Sequence, residues 1–171
     1  MRIMNSIFHR RSIRQFTPEV PDNGQIEQIL KAAMAAPTAC DDRQYQFYVV
    51  LDPEIRQALA QTSPYARCAA AAPAVIVPCF EDGAGYAPEY IPVNMGIVCE
   101  NLMLEADDLG LGTVFLGIYP EQDRMEAVRK VLQLPEGLTP FALIPVGHPA
   151  AVPADKDKFD PDRIHWIGRQ K

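Results

Sequence analysis

Apolar residues recur along the chain at two spacings, and these divide it into elements. Ile26, Ile29, Leu30, Ala33 and Met34 follow the i, i+3, i+4, i+7, i+8 order of an amphipathic helix. Pro21-Asp22-Asn23 is its start signal, and it stops near Ala36-Pro37. Tyr45, Phe47, Tyr48, Val49 and Val50 make residues 44–51 a strand, being aromatic and β-branched. Asp52-Pro53 opens a helix to about residue 61, because proline suits the first helical position. Residues 63–70 read as a short helix and 74–80 as a second strand, where Pro78 predicts an edge or a bulge. The longest helix is predicted over 92–109. Its apolar residues Val93, Ile97, Val98, Leu102, Met103, Leu104 and Ala106 cover more than one stripe, which predicts burial on several sides, a second subunit being one way to supply it. Gly110 fits its C-cap. A strand at 113–119, a helix at 120–132 and a strand at 140–146 follow. At the other end, residues 3–9 read as a short helix packing Ile3, Ile7 and Phe8.

The tail, residues 150–171, is polar, broken by proline and without a core pattern. Ile164, Trp166 and Ile167 favour docking on a partner over fraying. The order of elements predicts one α+β (mixed α/β) domain over 1–171, a central mixed sheet flanked by helices. Parallel pairs are possible, since helices separate successive strands.

Composition narrows the function. A formal net charge of −6 argues against general nucleic-acid binding. No apolar run reaches the roughly 20 residues of a membrane span, and residues 1–6 lack a signal-peptide core. The expectation is a soluble, cytoplasmic protein. Cys40, Cys68, Cys79 and Cys99 form no C-x-x-C pair and read as reduced, mostly buried thiols.

Against that acidic background, Arg10, Arg11 and Arg14 crowd into five residues around Ser12. Thr17-Pro18 disfavours helix just beyond, so the stretch is expected to run extended. Arg10, Ser12 and Arg14 then share one side over about 13 Å, with Arg11 and Ile13 on the other. Arginine forks and a hydroxyl suit an elongated phosphate-bearing ligand; a solvated charged turn or an interface salt-bridge cluster would show the same spacing. Other chemistries find little support. Gly83-Ala84-Gly85-Tyr86-Ala87-Pro88 lacks the last glycine of a dinucleotide fingerprint and reads as a turn. No P-loop, G-x-S-x-G or metal-spaced histidine set is present, and Asp41-Asp42 reads as solvated. A bound cofactor is the better hypothesis.

Arg10-Arg11-Ser12-Ile13-Arg14-Gln15-Phe16 resembles the R-R-S-x-R-x-F/Y opening of the nitroreductase-like flavoproteins. Ala36-Pro37-Thr38-Ala39-Cys40-Asp41 to Phe47 is similar to their A-P-S-A-x-N-x-Q-P-W-x-F segment. Leu109 to Gly117 is similar to L-G-L-G-T-x-W-L-G. Leu134-Pro135-Glu136-Gly137 and Ile144 to Pro149 follow in register. The resemblance implies a nitroreductase-like fold and a homodimer with FMN at the subunit interface, the C-terminal extension of each subunit completing the other's sheet. It further implies that Arg10 and Ser12 hold the phosphate and ribityl chain, that Arg11 also belongs to the cofactor site, and that Arg14 faces the pyrimidine edge of the ring. Pro37, Thr38 and Asp41 of the other subunit would pack beside the ring, Leu116 and Gly117 would run past it, and Lys156 and Lys158 would reach the phosphate. Asp41, Arg43, Gln44 and Tyr45 depart from the family's Asn, Gln, Pro and Trp. An Asp beside the flavin disfavours reduction unless paired, and Arg43 is near enough in sequence to pair with it.

The implied activity is hydride transfer from NAD(P)H through FMN to a nitroaromatic, quinone or similar small-molecule acceptor by a ping-pong mechanism. It needs no catalytic side chain and no metal. The other readings are a flavin-binding or regulatory protein with little turnover, and a non-flavin module for a phosphorylated ligand.

Overall fold

A computed structural model describes residues 6–154 and 157–168. Helix α1 (Ser6–His9) leads into the arginine segment, and α2 (Asn23–Met34) follows. Asp22 starts α2 with a reciprocal cap: its Oδ1 accepts from the Gln25 amide at 2.9 Å, and Gln25 Oε1 accepts from the Asp22 amide at 3.0 Å. Strand β1 (Tyr45–Val50), helices α3 (Pro53–Leu59) and α4 (Cys68–Ala71), and strand β2 (Ala74–Glu81) come next. Helix α5 (Ile91–Asp108) ends where Gly110 takes φ +76° and the Leu111 amide reaches back to Ala106 O at 2.8 Å. Strands β3 (Gly112–Thr113) and β4 (Leu116–Gly117), helix α6 (Gln122–Leu132), and strands β5 (Leu138–Pro140) and β6 (Ala142–Gly147) complete the body.

The sheet runs β1-β2-β6-β3, with β4 also on β6 and β5 on β2. Its ladders are antiparallel, because the connections return to the end they left: Val50 lies opposite Val75 although 51–74 intervene. The parallel pairing that the intervening helices allowed is confined, among the described residues, to a bridge between Ser12 and Thr113. Strand β2 is buried on both faces. Ala74, Ile76 and Phe80 face a core with α2 and α5, while Val75, Val77 and Cys79 face a second core with Leu59, Ala69 and Val128.

Four local expectations are refined. Pro78 lies in a central strand, at a bulge. Its carbonyl accepts from Phe141, so its missing N–H also faces β5 and β6, where the register slips by one residue between Ile76–Ile144 and Cys79–Pro140. The strand expected at 113–119 is broken at Val114 and Phe115, although β3 and β4 keep one register along β6. Ile7 and Phe8 do not pack inward but stand exposed; Ile3 lies outside the described residues. Helix α5 buries one broad face and leaves Val93 and Ile97 exposed on another.

Candidate functional site

The arginine segment lies across the end of the sheet. Ser12 bridges Thr113, the Ile13 amide donates to Thr113 O at 2.8 Å, and Phe16 bridges Pro149. Ile13 is buried. Two glycines make this docking possible. A Cβ on Gly112 would stand 2.6–2.7 Å from three atoms of Ile13. On Gly147, its register partner, a Cβ would stand 2.5 Å from Pro73 and 3.2 Å from Phe16. The bare pair leaves the segment room to lie flat.

Each arginine has a different task. Arg11 Nη1 donates to the carbonyls of Phe8, His9 and Arg10 at 2.8–2.9 Å, closing the end of α1 where carbonyls lack helical partners. Arg10 turns to α5 and donates from Nε to Glu100 Oε1 at 3.2 Å. Arg14 is exposed and folds back towards Ser12 O, at 3.4 Å. Arg10, Arg11 and Lys158 line one cleft of about 530 Å³, together with Ile7, Phe8, Asp157 and Phe159. Lys156 lies outside the described residues.

Pro37 and Thr38 follow α2 and lead into a 3₁₀ turn, Ala39–Asp41. Cys40, Asp41 and Arg43 all have φ between +51° and +55°. A non-glycine residue held there costs roughly 1–2 kcal/mol, so the turn must be tied down from outside. Asn94, buried on α5, accepts from the Ala39 amide at 3.0 Å and donates to Gln44 Oε1 at 3.4 Å. Asp42 Oδ2 accepts from the amides of Tyr86 and Ala87, at 2.9 and 3.0 Å, and from Gln44 Nε2 at 3.1 Å. Thr38 Oγ1 accepts from the Arg43 amide at 3.3 Å. Asp42 is therefore an anchor between two loops, not a solvated carboxylate. Asp41 projects outward and receives a two-pronged contact from Arg43, 2.8 Å from Nε and 2.5 Å from Nη2. That hydrogen bonding, with the attraction of the cation, holds the Asp41 carboxyl below the usual carboxylate range.

Leu116 and Gly117 form β4 beside the rings of Phe115, Phe141 and Tyr119. A Cβ on Gly117 would meet only Phe115, at an ordinary 3.7 Å, so the space over its backbone is open. Arg124 Nη1 donates to the Gly117 carbonyl at 3.3 Å while its guanidinium lies over the Tyr65 ring, 5.6 Å from the centroid. The four cysteines are free thiols. Burial pushes Cys79 and Cys99 up to about 12, whereas Cys40 is exposed in the strained turn.

Within one chain the expected site residues form three patches. Glu100, which holds Arg10, and Asn94, which holds the 39–41 turn, are six residues apart on α5, about 9 Å along the axis and on different faces. Gln44, Asn94, Glu100 and Arg124 support these patches, and of them only Gln44 was named in the sequence, as a departure from the family pattern. Asn94 had a signal, being a polar residue amid an apolar helical run; Glu100 is defined by a contact distant in sequence, and Arg124 by one with another element.

The model of the nitroreductase family matches residues 7–64 and 61–148 of the chain. A protein of Methanothermobacter thermautotrophicus, named as a candidate NADH dehydrogenase/NAD(P)H nitroreductase, is 39% identical over 96% of this chain and 86% of its own length. An FMN reductase [NAD(P)H] of Bacillus subtilis is 24% identical over 95% of this chain and 72% of its own. The crystal structure of a candidate NADH dehydrogenase/NAD(P)H nitroreductase from Bacteroides thetaiotaomicron superposes with a TM-score of 0.90, at 34% identity, over 95% of both chains.

Proposed function

The chain belongs to the nitroreductase family, and from that premise we propose that it is an FMN-dependent NAD(P)H oxidoreductase acting as a homodimer. The observation that carries the reading is the convergence of Arg10, Arg11 and Lys158 on one cleft in a protein of net charge −6. Arg10, Arg11 and Lys158 are the kind of cationic side chains that a phosphate needs. Bound FMN would supply the redox chemistry, taking hydride from the nicotinamide and giving it to the acceptor.

The chain's residues would hold and shape that site. Arg10, Ser12 and Lys158, with Lys156 from the same tail, would bind the phosphate and ribityl chain. Arg11 would keep the end of α1 in place beside them. Arg14 would place a positive charge against the pyrimidine edge. The open face of Gly117, next to Leu116, leaves room for a flat ring against bare backbone. Pro37, Thr38 and Asp41 would come from the second subunit, which explains why one chain keeps the patches apart. The exposed apolar residues support that subunit: Ile7 and Phe8 on α1, Val93 and Ile97 on α5, and Phe159, Trp166 and Ile167 on the tail. The tail, about 150–171, would dock on the partner and complete a single domain.

Donor and acceptor would occupy one cleft in turn, giving ping-pong kinetics with a nitroaromatic, quinone or similar oxidant. The Asp41–Arg43 contact weakens the low-turnover reading, because a paired carboxylate no longer opposes reduction beside it. The test is the bound ligand and the turnover. Denaturation of the protein should release FMN, identified by mass spectrometry of the supernatant, and the holoenzyme should oxidise NADH or NADPH with menadione or nitrofurazone well above free FMN. A colourless protein that gains no flavin spectrum with added FMN refutes the proposal, and release of another phosphorylated compound would point to the non-flavin module.

A further inference from the structure

The Asp41–Arg43 pair has a geometry that stability does not explain. Both side chains are largely exposed, at 70% and 63%, and an exposed pair adds little to the folded state. Yet three left-handed residues, Cys40, Asp41 and Arg43, are held around it, and Asn94, Asp42 and Thr38 spend hydrogen bonds on fixing the turn. Strain maintained by a buried polar scaffold, with its product facing solvent, is characteristic of a recognition element.

The donor arithmetic indicates what it recognises. A guanidinium carries five N–H groups in a planar fork. Asp41 takes one from Nε and one from Nη2, so the outer edge of Arg43, with Nη1, remains available to a further acceptor among the described residues. Asp41 fixes the plane of the fork and cancels its charge in part. An arriving carboxylate would share the cation with Asp41 in the manner of a bridging pair. A chain of net charge −6 otherwise repels such a substrate, so a local cation on the loop beside the proposed ring site would favour its entry.

We propose that Arg43, oriented by Asp41, is a specificity-determining residue that selects oxidants bearing a carboxylate or similar anionic group. This rests on the proposed flavin site, in which the 37–41 segment stands beside the ring. It deepens that reading by naming the acceptor class. Asp41 and the anionic substrate compete for one guanidinium, so removal of either member of the pair moves selectivity in opposite directions.

The test compares kcat/KM for 4-nitrobenzoate and the neutral 4-nitrobenzamide on the FMN-loaded protein, with NADH as donor. The wild type should prefer the carboxylate. Arg43→Gln should lower the benzoate-to-benzamide ratio about tenfold, as loss of a charge-assisted contact to substrate would. Arg43→Lys, which keeps the charge but not the fork, should fall between them. Asp41→Asn should raise the ratio, a direction that a merely structural role does not produce. An unchanged ratio in Arg43→Gln overturns the assignment, as does a change confined to the NADPH-to-NADH ratio, which would make Arg43 a reader of the donor. Visible flavin absorbance keeps the two readings distinguishable: a protein that binds no FMN refutes both, whereas a flavin-loaded protein indifferent to acceptor charge refutes this one alone.

Discussion

Replacement of Gly112 by alanine should damage the candidate phosphate cleft from behind. The added Cβ would sit 2.6–2.7 Å from Cγ1, Cβ and Cγ2 of Ile13, where carbon atoms normally keep about 3.5–4.0 Å. Ile13 is 4% exposed and β-branched, so it cannot rotate away; the segment must lift by about 1 Å. Overpacking of this kind costs about 1–3 kcal/mol. Lifting also stretches the 2.8 Å bond from the Ile13 amide to Thr113 O, worth about 1 kcal/mol. The sum is about 3 kcal/mol, a fall in Tm of about 6–12 °C for a chain of this size. Ser12 and Arg14 flank Ile13, so FMN affinity should fall with it, by about tenfold for each 1.4 kcal/mol lost. Differential scanning calorimetry and FMN titration by fluorescence quenching measure the two effects. Gly117→Ala is the control, since its Cβ meets only Phe115 at 3.7 Å, and it should melt with the wild type. A Gly112→Ala protein that melts within about 1 °C of wild type would show that the segment is not seated on the bare backbone.

In native protein at mildly alkaline pH, a chromogenic disulfide should label exposed Cys40 rapidly and leave Cys79 and Cys99 unreacted, since burial pushes those thiols up to about 12; equal rates at all four thiols would contradict that burial. The Asp41 carboxyl should titrate below the usual carboxylate range by carbon NMR. Its folded-state value is lowered, so the pair's contribution is present above the unfolded-state value and is lost as pH falls through the lowered one; an ordinary midpoint would mean the fork is open in solution. Ile97→Glu places a charge on the exposed face of α5 and should sediment as a monomer with weakened FMN binding. A variant that remains dimeric moves the interface elsewhere.

The elements most legible in the sequence are those governed by local rules. The Asp22 cap, the Asp52-Pro53 start and Gly110 at the end of α5 depend on atoms within a few residues, and all three behave as their types require. The Asp41–Arg43 contact belongs with them, because two residues of separation suffice. What stayed hidden depends on neighbours brought from afar. Gly112 and Gly147 matter because Ile13 and Phe16 lie on them, a relation between residues about 100 or more positions apart that no periodicity encodes. Asp42 looked solvated because its partners, the amides of Tyr86 and Ala87, arrive from another loop. Pro78 pointed to an edge or a bulge, and only the partner strand chose between them. The arginine row declared its alternation through Ile13, but the diversion of Arg11 to the end of α1 is a property of the folded helix.

The bulge opposite Pro78 also acts as a phase marker for the sheet. Between Ile76 and Cys79 the chain spends two residues, while between Ile144 and Pro140 it spends three. A bulge absorbs one extra residue, so Pro140 still lies opposite Cys79 and on its face. Deleting Phe141 would equalise the two counts and remove the oxygen that receives the amides of Ile118 and Tyr119. The frame of β4, and with it the open backbone at Gly117, is thus kept in step by a single supernumerary phenylalanine.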